Sequence, residues 1–325
     1  MTCAFPLESF RPQVEWFHKF LGFVDASLLR FCKLKFPMQK LRLSIGPLDV
    51  IGSSFFLDKW IVLAVENVVK ELNFHLMSRN TVHLPRMIEL DDMYILPQAI
   101  FSATSMTTLD VCGCKLEQLS GSAGFHFLKN VKLVKVLLNE QIVQMLITEC
   151  PLLENLLLHY CSGLRRFCVS DALKLKVVEF FTSYDEVESI EIAALYEFRK
   201  WSPSFPCEVE NLHLDLTMWP SNYTAFLDGL FSICYPRYMS IVAYGGDFEL
   251  FIKWLNRKLR NQDAKCCNSQ TIKCWRHYLK DAEIYCFQPG DDDEEPYVIH
   301  DLNKELPELP LGDLYFRLDW LCYEA

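Results

Sequence analysis

Apolar positions recur along this chain in a short frame that has the spacing of a half-buried β-strand. In residues 150–161, Leu156 and Leu158 follow Leu153 and precede Cys161. Successive side chains of a strand point to opposite faces, so Leu156 and Leu158 are expected to share one buried face. Residues 139–150 have the apolar spacing of a helix, which Pro151 ends. The pattern predicts a helix followed by a short strand.

The same frame returns at intervals that fit a repeat. From Leu109 to Val131, Leu156 and Val178 the steps are 22, 25 and 22 residues, within the period of roughly 20–29 residues that one leucine-rich repeat occupies. The sequence therefore predicts an α/β leucine-rich repeat solenoid, with a curved parallel sheet on the concave side and helices and irregular segments on the convex side. The full frame also fits Met106, Leu109, Val111, Cys114 and Leu116, and Met38, Leu41, Leu43, Gly46 and Leu48; looser copies centre on Leu72, Val131, Val178, Leu212 and Ala282.

Other segments predict the elements around these strands. Residues 13–31 predict a helix that covers the open end of the solenoid, which would otherwise expose core. Val187, Ile190 and Ile192 follow Val178 too closely for a whole coil and predict a strand on the return side. Further predictions are helices at 58–67 (capped by Asp58), 98–102, 222–234 (ended by Pro236) and 247–260, and strands at 238–243 and 279–284 (Leu279, Ala282 and Ile284). Residues 314–323 either fold back on the body or form a frayed tail.

Several phrases carry a resemblance to a known family. They are Leu-Ile-Thr-Glu-Cys-Pro-Leu-Leu-Glu-Asn-Leu (146–156), Cys-Ser-Gly-Leu-Arg-Arg-Phe (161–167), Leu-Pro-Gln-Ala-Ile-Phe-Ser-Ala (96–103) and Cys-Trp-Arg-His-Tyr-Leu-Lys-Asp (274–281). Over roughly residues 20–290 the chain resembles the leucine-rich part of plant F-box/LRR proteins of the FBD-associated group. Nothing in residues 1–45 matches the Leu-Pro-x-(Glu/Asp) opening of the F-box that precedes the repeats in that family.

The resemblance implies a role and a domain plan. It implies the substrate-recognition part of a receptor of a cullin-based ubiquitin ligase, with the ligase adaptor as a partner only if the full-length product contains an F-box. A truncated product without ligase function is the alternative. The expected domains are an N-terminal helical cap at 1–35, leucine-rich repeats at 36–216, an FBD-like closing α/β module at 217–290, and an acidic loop and tail at 291–325.

Charge and hydropathy narrow the classes of partner. The net charge of −10 and pI near 5.3 argue against nucleic-acid and anionic-membrane partners, both of which require a basic face. No signal peptide opens the chain, and no uninterrupted apolar run approaches the roughly 18 residues of a membrane-spanning helix. These features predict an intracellular protein of the cytoplasm, the nucleus or both.

The fourteen cysteines are expected to be reduced thiols, because this large chain lacks an export signal. Cys114 and Cys161 occupy the turn position of the repeat, where packing is their expected role. The cluster of Cys266, Cys267, Cys274 and His277 lacks the two tight pairs of a zinc site, so no metal and no cofactor are predicted. A metal- or thiol-dependent protein centred on this cluster is the alternative function. The acidic run at 289–296 is interpreted as a solvated segment.

Enzyme motifs are absent from the sequence, so we predict a binding protein and not an enzyme. In a strand of this frame, the residue between the two core positions faces outward on the concave sheet. A stacked column of such residues would form a recognition surface for a protein or peptide of mixed charge. The candidate binding residues are Arg42, Asn73, Asp110, Lys132, Leu157, Glu179, His213 and Glu283.

Overall fold

The chain is described by a computed structural model that divides into two compact units, which we call unit 1 (Met1–Leu164) and unit 2 (Arg165–Ala325). The structure describes residues 2–3, 13–45, 50–76, 93–117, 124–163, 174–181, 207–216, 227–228, 230–231, 234–243, 248–260, 275–286, 297–298 and 314–321.

The described residues of unit 1 contain six strands of a sheet, all parallel and adjacent in the order of the sequence. A described helix or 3-10 turn lies between successive strands in four of the five connections, and each strand with its return segment makes one coil. The elements are β1 (Thr2–Cys3), α1 (Gln13–Lys33), β2 (Lys40–Ile45), α2 (Val50–Glu66), β3 (Glu71–Leu76), a 3-10 turn (Gln98–Ser102), β4 (Thr108–Cys112), β5 (Asn130–Val134), α3 (Glu140–Glu149) and β6 (Asn155–His159). This topology confirms the predicted leucine-rich repeat solenoid over these strands.

The predicted alternation determines which side chains form the core. Leu156 and Leu158 are buried whereas Leu157 between them is half-buried, and the neighbouring strands repeat this pattern in register. Each buried position stacks on its equivalent in the next strand, so one apolar ridge runs through unit 1. Its middle row consists of Leu41, Leu72, Leu109, Val131 and Leu156.

A residue with a left-handed backbone conformation directly follows each of three successive strands. Gly113, Lys135 and Tyr160 have φ values of 74°, 51° and 55° and each directly precedes the turn position of its repeat. A Cβ atom on Gly113 would lie 2.2 Å from the carbonyl oxygen of Leu76, so this position requires glycine. The recurring left-handed residue turns the chain off the sheet at the same point of each coil.

Buried side chains fill the turn position that follows. Cys114 and Cys161 are buried, and the thiol of Cys161 lies 3.3 Å from the carbonyl oxygen of Leu133 on the preceding repeat. A second short ladder of parallel bridges then forms beside the sheet, joining Ile95, Lys115, Leu137 and Ser162. The packing role predicted for these two cysteines agrees with their burial.

The helices of unit 1 confirm two predictions and correct one. Helix α1 lies where it was predicted, and α3 begins at its cap, because the backbone N–H of Ile142 donates to Asn139 Oδ1 at 3.0 Å. Helix α2 begins at Val50 and not at Asp58, because the apolar residues before Asp58 continue the same helix. Asp58 is therefore not a cap; its Oδ1 accepts a 2.6 Å hydrogen bond from the hydroxyl of Tyr94.

Unit 2 begins with parallel strands and ends with antiparallel ones. Its described elements are β7 (Val177–Phe181), β8 (Cys207–Leu216), β9 (Cys234–Ala243), α4 (Phe248–Arg260), a 3-10 turn (Trp275–His277), β10 (Leu279–Cys286), β11 (Tyr297–Val298) and β12 (Leu314–Trp320). Strands β7, β8 and β9 are parallel neighbours. Strand β12 pairs antiparallel with β9, β10 with β12, and β11 with β10.

Two predictions for unit 2 are revised, and a third is confirmed. The segment with Leu279, Ala282 and Ile284 is not a further parallel repeat, because β10 runs antiparallel to both of its neighbours. The predicted helix at 222–234 stops before Cys234, where β9 begins, so the strand includes Pro236. Residues 227–228 and 230–231 are helical and α4 lies where a helix was predicted.

The end of the chain folds back as a strand. In β12, Phe316 and Leu318 are buried and the strand lies between β9 and β10. The indole N–H of Trp320 donates to the carbonyl oxygen of Pro236 at 2.8 Å. Strand β12 is thus part of the core of unit 2, which decides between the two alternatives that the sequence left open.

Some predictions lie outside the described residues. They concern the return-side strand of Val187, Ile190 and Ile192, the cysteines Cys266, Cys267 and Cys274, and the acidic run at 289–296. The four-part domain plan also stays a prediction. In the part of the chain that the structure describes, no helix is both long and apolar enough to cross a membrane.

Candidate functional site

The candidate site in unit 1 is the sheet face opposite the apolar ridge, here called the outward face. Five of the predicted binding residues lie on it in one row, each paired in register with the next across neighbouring strands. The structure therefore brings together the unit 1 candidates, although their use in binding stays a prediction. The row consists of Arg42, Asn73, Asp110, Lys132 and Leu157.

The centre of this row is a hydrogen-bonded cluster. Asn73 Nδ2 donates to Asp110 Oδ2 at 3.0 Å, and His75 Nε2 lies 2.9 Å from Asp110 Oδ1. Both atoms of the second contact are buried and have no other hydrogen-bond partner among the described residues, so a proton on His75 Nε2 satisfies both. His75 was not among the predicted residues, although its place two residues after Asn73 puts it on the same face.

This cluster retains Asp110 as a carboxylate. Burial acts to raise the pKa of Asp110, but hydrogen bonds from His75 and Asn73 and the charges of His75 and Lys132 outweigh it and lower the pKa. Both oxygens of the carboxylate are engaged by neighbours within the sheet. Asp110 thus holds Asn73 and His75 together on the outward face, and both of its oxygens contact these two side chains.

A second row on the same face is also occupied by contacts between strands. Lys40 Nζ lies 2.8 Å from Glu71 Oε2. Asn155 Nδ2 donates to Asn130 Oδ1 at 2.5 Å, and Asn130 Nδ2 donates to Thr108 Oγ1 at 3.3 Å. These polar ladders join β2 to β3 and β4 to β6 along the start of each strand, so they strengthen the pairing of the strands.

Two residues of the predicted row have a different character. Lys132 is exposed, and Leu157, which is half-buried, lies beside it in register on the next strand. A cation next to an aliphatic side chain on a regular sheet offers both charge and apolar area to another protein. Arg42, at the other end of the row, is likewise exposed.

Unit 2 contains the other three candidates, and it does not place them in a single row. Glu179 pairs in register with His213, which pairs with Ser240. The ring of His213 contacts the Ser240 hydroxyl and meets the Phe181 ring edge-on at 5.1 Å. Glu283 instead lies on antiparallel strand β10, opposite Arg317. Its Oε2 is 3.7 Å from Arg317 Nη1.

The described cysteines show no sign of a reactive or metal-binding site. Burial raises the pKa of the Cys114 thiol, and burial together with the charge of Glu149 raises that of Cys150 to about 12. A thiol with a raised pKa is a poor nucleophile at neutral pH. Over the described ranges, no group of three or more His, Cys, Asp or Glu side chains is placed to hold a metal ion.

The repeated coil, the apolar ridge and the regular outward face together define a leucine-rich repeat protein. Residues 57–202 match the family model described as FBD-associated F-box protein At5g56370, LRR repeats. The comparison confirms the resemblance of this region to plant F-box/FBD/LRR proteins.

Two relatives from Arabidopsis thaliana are similar over a shorter stretch. The F-box/FBD/LRR-repeat protein At1g13570 is 28% identical over 108 residues, which are 33% of this chain and 23% of the relative. The F-box/LRR-repeat protein At3g03360 is 29% identical over 108 residues, 32% of this chain and 22% of the relative. The chain thus matches less than a quarter of the length of either protein. No solved structure matches it.

Proposed function

We propose that this protein is an interaction scaffold that binds a protein partner on the outward face of unit 1. The observation that carries the proposal is the pairing of Lys132 and Leu157, in register and accessible on adjacent strands. The polar groups around them are engaged with each other, so this face is ordered before a partner arrives. A preordered surface loses little conformational entropy on binding.

The similarity to F-box/FBD/LRR proteins supports a more specific role. In this role the repeats would recognise the substrate of a cullin-based ubiquitin ligase, and an F-box in a longer product would bind the ligase adaptor. The protein would act in the cytoplasm, the nucleus or both. It would contribute binding and no catalysis of its own.

The proposal is tested by isolating partners of the full chain from plant tissue with two matched variants. The first is Lys132→Glu with Leu157→Asp on the outward face. The second is Lys33→Glu with Leu34→Asp, which changes the same residue types at exposed positions at and after the end of α1. Each variant makes the net charge more negative by the same amount, because each replaces one Lys by Glu and one Leu by Asp. The two variants therefore differ in where the change is made.

We expect the first variant to lose specific partners by about tenfold or more, as removal of a central contact does, while the second retains them. Equal recovery of the same partners by both variants, with unchanged unfolding transitions, would contradict the outward face as the site. Recovery of a ligase adaptor is scored separately, since its absence would count against the ligase role and leave the binding face intact.

A further inference from the structure

The ends of α1 and α2 in unit 1 expose large apolar side chains on two neighbouring loops. The backbone N–H of Met38 donates to the carbonyl oxygen of Asn67 at 2.8 Å, so the loops that follow the two helices lie side by side. Three apolar side chains on these loops are mostly or about half exposed: Leu34 (59%), Phe36 (61%) and Val68 (49%). Neighbouring apolar side chains with this much exposure are a feature of interaction sites.

Val68 combines exposure with an unfavourable backbone conformation. Its φ of 59° lies in the left-handed region, which a β-branched residue rarely adopts. The N–H of Val68 donates to the carbonyl oxygen of Val65, and that of Val69 to Ala64, so Val68 occupies the position after a helix at which glycine is usual. Val68 therefore costs stability without burying its side chain. A strained residue of this kind points to a role in contact with another molecule.

Basic side chains surround these apolar ones. Within residues 30–40 and 64–71, four exposed cations form no ion pair with any described residue: Arg30, Lys33, Lys35 and Lys70. Arg30 and Lys33 lie in the last turn of α1, where they also complement the helix dipole. Lys35 and Lys70 lie beyond the ends of the helices, so the dipole of the helix does not account for them.

The carboxylates nearby leave this positive charge in place. Glu71 Oε2 lies 2.8 Å from Lys40 Nζ, and Asp25 Oδ1 lies 2.8 Å from Lys59 Nζ, so each of these pairs is neutral. Glu66 is the one other carboxylate in residues 30–40 and 64–71. Four unpaired cations therefore accompany one carboxylate there, and this end of unit 1 is locally positive although the chain has a net charge of −10.

We propose that this surface, here called the rim patch (Lys33, Leu34, Lys35, Phe36, Val68 and Lys70), binds an acidic segment of a protein partner that also carries apolar side chains. The lysines are complementary in charge to carboxylates of the segment, and burial of the apolar side chains adds affinity. The proposal is independent of the proposed function, because the rim patch shares no residue with the outward face.

The charge distribution favours a short protein segment over a nucleic acid or a membrane. Both alternatives present wide anionic surfaces, which would also approach the acidic remainder of this chain and be repelled by it. A short segment needs to approach only the rim patch. We expect its apolar side chains to pack against Leu34 and Phe36 while its carboxylates contact the lysines.

The test measures binding of a fluorescent synthetic peptide that repeats Asp-Leu-Ser to the full chain, by anisotropy at several salt concentrations. One reference peptide replaces every Leu by Ser, and a second replaces every Asp by Asn. They separate the apolar contribution from the ionic one. Vesicles of phosphatidylserine and phosphatidylcholine are tested in parallel, since they offer anionic charge without a peptide.

The charge variant is Lys33→Gln with Lys35→Gln, which removes two cations from the rim patch. Its matched control is Lys174→Gln with Arg257→Gln, which removes two exposed cations from unit 2. We expect the first to weaken peptide binding by about fivefold to tenfold and the second to stay within about twofold of wild type.

The apolar variant is Phe36→Ser, and its matched control is Phe55→Ser, at a side chain that is 72% exposed in the first half of α2. Phe36→Ser is expected to weaken binding by about fivefold to tenfold, whereas Phe55→Ser stays within about twofold. Val68→Gly is expected to raise the thermal midpoint, because it relieves the left-handed strain, and yet to weaken binding by about twofold to fivefold. A purely structural role of Val68 would not move these two measurements in opposite directions.

Equal weakening by the rim and control variants, or equal binding of the peptide that lacks Leu, would show attraction to charge only and would overturn the proposal. Binding of the vesicles without binding of the peptide would also overturn it, as would binding of neither. Lys132→Glu with Leu157→Asp is expected to bind the peptide as wild type does. Lys33→Glu with Leu34→Asp is expected to lose the peptide and to retain the partners of the outward face, so this proposal and the proposed function fail separately.

Discussion

Asn73 Nδ2 donates a 3.0 Å hydrogen bond to Asp110 Oδ2 across two neighbouring strands of unit 1. The other oxygen of Asp110 faces His75, so the carboxylate is held from both sides. Asp110 is therefore part of what holds the outward face together. In the central row of that face, Arg42 and Lys132 are exposed and Leu157 is half-buried.

The first prediction concerns the Asp110→Asn variant. At neutral pH it is expected to lower the free energy of unfolding by about 1–3 kcal/mol, because a half-buried carboxylate that accepts two hydrogen bonds is replaced by an amide. The folded-state pKa of Asp110 is lowered, so its stabilisation is complete above the unfolded-state pKa of about 3.9 and is lost as pH falls through the folded pKa.

The measurement is urea unfolding of wild type and variant at several pH values. The difference between them should be largest near neutral pH and should shrink as the solution is acidified towards the folded pKa. Glu66→Gln, at an exposed position, controls for general effects of removing one negative charge. A difference that does not change with pH would contradict the cluster.

The second prediction compares two adjacent leucines of β6. Leu156→Ala is expected to lower the free energy of unfolding by about 2–5 kcal/mol, because it leaves a cavity in the apolar ridge. Leu157→Ala, one residue further on and on the outward face, is expected to lower it by less than about 1 kcal/mol. Denaturant titration measures both, and similar losses would mean that β6 does not alternate between core and surface.

The third prediction concerns the left-handed residues that end the strands. Lys135→Gly is expected to raise the free energy of unfolding by roughly 0.5–1 kcal/mol, because a side chain at φ 51° is strained and glycine is not. Lys129 does not have a positive φ, so Lys129→Gly is the control and should lower the free energy of unfolding. The idea fails if the two glycine variants change the thermal midpoint in the same direction.

The fourth prediction concerns the strand at the end of the chain. Phe316→Ala is expected to destabilise unit 2 by about 3–5 kcal/mol, because Phe316 is fully buried between β9 and β10. Leu321→Ala, at a side chain that is 49% exposed, is the control and should change stability by less than about 0.5 kcal/mol. Limited proteolysis reports the difference; equal cleavage rates would argue against a buried β12.

Much of unit 1 could be predicted because each strand and turn is specified by a few neighbouring residues. The frame around Leu109, Val131 and Leu156 repeats at nearly constant steps, and each copy needs only a few residues to specify a strand, a turn and a buried face. The same alternation placed Asn73, Asp110 and Lys132 on one face in register. His75 would have been found by extending the outward row by two residues.

Predictions failed where a local pattern fits more than one environment. Ile284 alternates as a repeat strand would, yet β10 is antiparallel, because alternation specifies which face a side chain occupies and not the direction of the neighbouring strand. Asp58 has the residue type of a helix cap, but the apolar residues before it extend α2 and its carboxylate instead meets Tyr94.

By itself, the sequence determined the strand frame, the buried face of each strand and the row of outward residues, because side-chain alternation and turn geometry act over a few neighbouring positions. Only the tertiary structure decided that β12 lies between β9 and β10, that Asp110 is held by Asn73 and His75, and that Tyr285 faces Tyr315. These contacts join residues far apart in the chain, and their free energy depends on which strands become neighbours.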